Sequence, residues 1–143
     1  MYETALVSVD GSEESLTAAR EAVEFVDDDG TLHVLSVVEQ LPMHKRSGRA
    51  EKFEDDDEET RAQAESAVSE VEDVVESAGV DYAPVIEEGV PRHAIVSYAD
   101  EVDADVIVVG KRGSEDVAND LLGSTAEYVV RNASVPVVTV PNA

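Results

Sequence analysis

Apolar residues are distributed along this chain in two alternating rhythms. Short apolar-rich runs at Tyr2–Val9, Thr31–Val38, Val80–Ile86, Val106–Val109 and Val135–Val140 predict strands, Val106–Val109 buried on both faces. Between them, apolar positions recur three and four residues apart. Leu16, Ala19, Val23 and Val26 form one such stripe, and Ala64, Ala67, Val68, Val71, Val74, Val75 and Ala78 a longer one. Ala94, Ile95, Tyr98, Ala99 and Val102 form a third, followed by Ala126, Val129 and Val130. Each stripe is the inner face of an amphipathic helix. The order β-α-β-α-β-α-β-α-β predicts a single α/β domain over residues 1–143, a parallel sheet with helices on both faces. In such sheets ligands bind in the crevice outside the carboxyl ends of the strands.

Turn residues punctuate this pattern. After the first strand comes Asp10-Gly11-Ser12-Glu13-Glu14, where Ser12 is a candidate N-cap and the two glutamates complement the helix dipole. Asp10 reads either as a turn residue or as a carboxylate at a strand's C-terminal end, facing a ligand. Asp27-Asp28-Asp29-Gly30 is expected to end the first helix. Asp55 to Glu59 are expected to open the long second one, which Gly79 closes. Pro91 suits the first position of the third helix, and Pro136 the start of an edge strand. Residues 39–57 show no period and are expected to form a flexible loop. Four of the ten basic residues, Lys45, Arg46, Arg49 and Lys52, cluster there beside His44. The segment reads as a mobile loop able to close over a phosphate, or as a plain surface excursion.

The stretch from Asp105 to Thr125 carries the chemistry. A strand ends at Gly110, Gly113 follows, and nine residues later Gly123, Ser124 and Thr125 open a helix whose N-terminus is expected to be capped by the hydroxyl residues. Backbone N–H groups can converge on an anion at such a place. Glycines let a phosphate approach the main chain closely and let the loop reach positive φ; the alternative is that they serve only the turns.

Composition narrows the function classes. With 33 acidic and 10 basic residues the formal net charge is −23, yet 43 % of the chain is hydrophobic, so the acids read as a solvated surface over an ordinary core. Such charge repels itself unless screened, and at ~1 M salt the screening length falls to about 3 Å. A protein adapted to a salt-rich cytoplasm is expected, with neither nucleic acid nor an anionic membrane as partner. Without cysteine there is no disulfide framework and no thiolate chemistry. No apolar run reaches the ~20 residues of a membrane span and no signal-peptide pattern opens the chain, so a cytoplasmic location is expected.

Over nearly its whole length the chain resembles the universal stress protein family. The segments that carry the resemblance are Val9-Asp10-Gly11-Ser12, Gly89-Val90-Pro91, Ala104 to Gly110, Ser134 to Val137 and, most specifically, Gly110-x-x-Gly113, nine residues, then Gly123-Ser124. The last is similar to the signature of the family's ATP-binding members. The resemblance implies a Rossmann-like, five-stranded sheet in the order 3-2-1-4-5 and a homodimer joined through the last strand. It further implies Asp10 at the ribose and Val37 offering its backbone to adenine; Asp10 is separately a candidate to hold Mg through the nucleotide. Gly110, Gly113, Gly123, Ser124 and Thr125 would hold the phosphates of ATP or another adenine nucleotide. Where family members often carry a small hydroxyl residue and then His or Arg, this chain has Lys111-Arg112, which adds positive charge beside those phosphates. The expected function is an ATP-binding regulatory dimer of the stress response. The alternatives are a slow ATP hydrolase or phosphotransferase, with His44 its remote candidate base, and an interaction module that binds no nucleotide. Neither His33, on a strand face, nor His93, in a helix's first turn, suits catalysis.

Overall fold

The structure, a computed structural model, describes residues 2–39, 50–112 and 122–141, with the backbone alone over 50–58. Gly113 and, in the basic segment, His44, Lys45, Arg46 and Arg49 lie outside the described residues. Five parallel strands form one sheet: β1 (Tyr2–Ser8), β2 (Val26–Glu39), β3 (Asp81–Gly89), β4 (Val106–Gly110) and β5 (Val137–Val140), in the spatial order β3-β2-β1-β4-β5. This is the predicted topology. The helices are α1 (Glu13–Ala22), α2 (Ala50–Ser77), α3 (Pro91–Glu101) and α4 (Ser124–Asn132).

Strand alternation sends side chains to opposite faces and so divides the core in two. Ala5, Val7, Leu32, Val34 and Val108 point to one side, where Ala18, Ala19 and Ala22 of α1 and Val68, Val71 and Val75 of α2 cover them. Leu6, Leu35, Ile107 and Val109 point to the other, under Ile95 and Ala99 of α3 and Ala126 and Val129 of α4. Leu6 and Ile107, on the two neighbouring inner strands, are fully buried. Val130, predicted to face inward, is instead exposed, because Ala126 and Val129 already fill the narrow buried stripe of α4.

Three element boundaries differ from the predicted ones. The first helix stops at Ala22, a 3₁₀ turn covers Val23–Phe25, and β2 begins at Val26 rather than Thr31. Val26 pairs with Tyr2, and the register then slips, so that Thr4 meets Thr31. Gly30, expected to terminate a helix, lies buried in this irregularity. A Cβ there would come within 2.7 Å of the Glu3 carbonyl oxygen and of Val26 Cγ1. Second, α2 begins at Ala50, so residues 50–57 of the expected loop are helical and their acids do not open the helix. Third, β5 starts after Pro136, whose carbonyl accepts the Ile107 N–H at 3.0 Å although its own nitrogen has no proton to give. Pro84 sits within β3, opposite Val34, and is tolerated because β3 is an outer strand. Gly79, past the end of α2, has φ +72°, as a helix-terminating glycine requires.

Candidate functional site

Because β1 lies between β2 and β4, the connections leaving β1 and β4 run to opposite sides of the sheet. The gap between their C-terminal ends is the topological switch point, where such sheets leave a crevice. Here it holds a cavity of about 480 Å³, lined among others by Asp10, Val37, Gly110, Arg112, Ser124 and Thr125. Six residues singled out from the sequence thus surround one space. Gly123 and Lys111, also singled out, do not line it.

The turn after β1 is built around Asp10. Its Oδ1 accepts the Ser12 N–H at 2.9 Å, and Gly11 between them takes φ +87°, a conformation costly for any side chain. Ser12 caps α1 as expected, its hydroxyl accepting the Ser15 N–H at 3.1 Å. The Ser15 hydroxyl donates to the Ser12 carbonyl at 2.9 Å and accepts the Asp10 N–H at 3.3 Å. Asp10 therefore is a turn residue, and it also borders the cavity.

At the end of β4 the backbone of Lys111 ties three elements together. Its N–H donates to the Val140 carbonyl at 2.8 Å, and its carbonyl accepts the Gly123 N–H at 2.9 Å. Lys111 and Gly123 thus hold the frame of the site. Gly123, not a hydroxyl residue, is the N-cap of α4, and it offers no side chain to the first turn. The expected hydroxyl cap is corrected accordingly: Ser124 and Thr125 are the first residues inside the helix and reach the cavity from there. A helix end without a capping side chain is where an anion can be accommodated.

Gly110 has a different local reason from the one expected. It does not take a positive φ. A Cβ on it would stand 2.7 Å from Glu14 Oε1. Glu14, in the first turn of α1, is 3 % exposed, whereas its neighbour Glu13 faces solvent. One of its oxygens accepts the Arg112 backbone N–H, and the other lies 3.8 Å from Arg112 Nε. The cation expected beside a ligand is therefore already facing a carboxylate. Sequence reasoning assigned Glu14 only to the helix dipole. Its spacing from Ala18 and Ala22, which places all three on the buried stripe of α1, was the available signal.

Two further walls were not foreseen. Thr60, Gln63 and Ala64, on one face of α2, overhang the cavity, and Ser15 and Ser36 form buried polar parts of its floor. Arg92 lines it from the first turn of α3, directly after Pro91. Its guanidinium carbon stands 5.8 Å from the Tyr128 ring centroid, and the His93 ring packs edge-on against the same tyrosine at 5.1 Å. A basic residue in a helix's first turn, against the local dipole, was the sign that could have drawn attention to it. His33 lies outside the cavity. Its Nδ1 is 3.0 Å from the Tyr98 hydroxyl, and burial holds its pKa below 6.5. Among the described residues no group of three or more His, Asp or Glu side chains is arranged to hold a metal ion. Nor is any helix among them long and apolar enough to cross a membrane.

A doubly wound parallel sheet with a cavity at its switch point defines the class: a Rossmann-like α/β protein. Residues 1–141 match the model of the universal stress protein family, and the chain belongs to that family. A universal stress protein of Methanocaldococcus jannaschii is 32 % identical over 98 % of this chain and 82 % of its own. Among solved structures, a universal stress protein in complex with cAMP is 29 % identical, covers 99 % of this chain and 98 % of its own, and superimposes with a TM-score of 0.70. The universal stress protein of Archaeoglobus fulgidus in complex with dAMP is 25 % identical, with coverage of 97 % and 98 % and a TM-score of 0.72.

Proposed function

We propose that this universal stress protein binds an adenine nucleotide, ATP in the first instance, in the switch-point cavity and acts as a nucleotide-dependent regulatory homodimer in the stress response. The observation that carries the reading is the convergence of Asp10, Val37, Gly110, Arg112, Ser124 and Thr125 on one space. At about 480 Å³ the cavity falls within the usual range for small-molecule sites, roughly 300–1,000 Å³. The cAMP and dAMP carried by the two related structures are of the same ligand class.

In this reading Asp10 takes the ribose and Val37 offers its backbone to adenine. Gly110, Arg112, Ser124 and Thr125 receive the phosphates, on a frame kept by Lys111 and Gly123; Gly113 belongs to the same signature but lies outside the described residues. A nucleotide-borne Mg would be held by phosphate oxygens and water with Asp10 as a carboxylate partner, the mode usual for this ion. One oxygen of Asp10 is engaged by the Ser12 N–H, so its part there is a minor one. Dimerisation through β5 and operation in a salt-rich cytoplasm complete the proposal.

The long-range field of a −23 protein opposes an anionic ligand, whereas contacts at the glycine turn and helix end act at short range. Salt screens the first far more than the second. Isothermal titration of Mg-ATP and AMP from low to molar KCl should therefore show about one nucleotide per chain, with affinity kept or improved in molar salt. No adenine nucleotide bound at any salt concentration by the folded protein would end this reading.

A further inference from the structure

Glu14 is the one buried carboxylate among the described residues, 3 % exposed on a surface otherwise crowded with solvated acids. It lies against the glycine turn, 98 residues away in sequence, in three ways: it accepts the Arg112 N–H, faces the Arg112 guanidinium, and fills the room that Gly110 leaves by lacking a Cβ. A buried carboxylate is costly unless it is paired and hydrogen-bonded, and both conditions are met by residues 110–112. The N–H and the cation that meet it belong to the turn that also lines the cavity.

We infer that Glu14 is a resident anion of the phosphate subsite and sets how much negative charge the site accepts. This rests on the adenine-nucleotide reading above. Glu14 already takes one backbone donor and neutralises Arg112, so an incoming phosphate either displaces the carboxylate or settles beside it. Both outcomes oppose the ligand in proportion to its charge, because the repulsion scales with the product of the charges. The site consequently favours nucleoside monophosphates and cyclic phosphates over an uncomplexed triphosphate, and the triphosphate is accepted best when a divalent cation offsets its charge.

A neutral side chain of the same shape separates this role from a purely structural one. Adenosine, AMP, ADP and ATP without Mg are titrated at fixed ionic strength against the parent, Glu14→Gln, Glu14→Ala and Glu14→Asp, each checked by thermal unfolding. In the Gln and Ala variants adenosine should bind as in the parent, AMP should bind about threefold tighter and ATP at least about tenfold tighter, the gain rising with ligand charge. Glu14→Asp, which keeps the charge, should retain the parent's order of preference. A gain or loss by the same factor for all phosphorylated ligands, or unchanged ATP affinity, would overturn the inference and leave nucleotide binding standing. If neither parent nor variants bind adenosine or any of the nucleotides, the functional reading falls and this inference with it.

Discussion

Replacing Gly110 by alanine tests the most specific contact of the site. Gly110 does not need a positive φ, so alanine is acceptable to the backbone, and the smaller entropy of the unfolded chain would favour it by ~0.4–1 kcal/mol. Against this, the new Cβ would stand 2.7 Å from Glu14 Oε1 and 3.0 Å from its Cγ. The carboxylate must retreat, giving up the Arg112 N–H, and hydrogen bonds to charged groups are worth ~1.5–3 kcal/mol. The net expectation is a loss of about 1–2 kcal/mol. For a chain of 143 residues the unfolding entropy is about 0.3 kcal/mol per kelvin, so Tm should fall by roughly 3–7 °C. In a Glu14→Ala background the obstruction is gone, and Gly110→Ala should be neutral or slightly stabilising. A double-mutant cycle from urea unfolding at constant KCl should thus give a coupling of about 1.5–2.5 kcal/mol. If the two substitutions add to within about 0.5 kcal/mol, Gly110 is not there to make room for Glu14, and the account of the turn fails.

Two further expectations concern the frame. His33, half-buried against Tyr98, has its pKa lowered by burial, so below 6.5 the unfolded chain takes up a proton that the folded chain resists. Stability should fall as the pH drops from 6.5 through that lowered value and stay level above 6.5 as far as this residue is concerned. The slope should vanish in His33→Gln, and an NMR titration placing the imidazole at or above 6.5 would contradict it. Leu6→Ala, on the central strand beneath α3 and α4, should cost about 3–5 kcal/mol in urea unfolding, and a loss under ~2 kcal/mol would mean that this face is packed otherwise.

Much of the fold was legible because burial on both faces leaves little freedom in a strand's composition. Val106 to Val109 could be read without ambiguity, and the helical stripes around them dictated a crossover topology. What the pattern could not show was pairing between distant segments. Val26 falls at helical spacing from Leu16 and Val23, but its partner is Tyr2, and that choice is made by the sheet. The same holds for Gly30, whose neighbours Tyr2 and Glu3 come from the other end of the β1–α1 unit. The absence of an apolar period in residues 50–57 concealed a helix, since the sequence signal of a helix is its apolar stripe. In the site, turn chemistry made Asp10, Gly110 and Gly123 visible. Glu14 and Arg92 stayed hidden because a buried carboxylate and a solvated one look alike until their partners are known.

The proline in β3 bears on how the molecule behaves in company. An outermost strand invites pairing with strands of other molecules, and proteins commonly discourage this with charge. β3 carries Asp81, Glu87 and Glu88, but in concentrated salt their repulsion reaches only a few ångströms, about 3 Å at ~1 M. Pro84 works differently: a missing N–H stays missing at any ionic strength. The opposite border, Val137 to Val140, has neither proline nor charge within it. Sheet extension past β3 is thus discouraged by a device that salt cannot screen, and β5 carries no such device within its span.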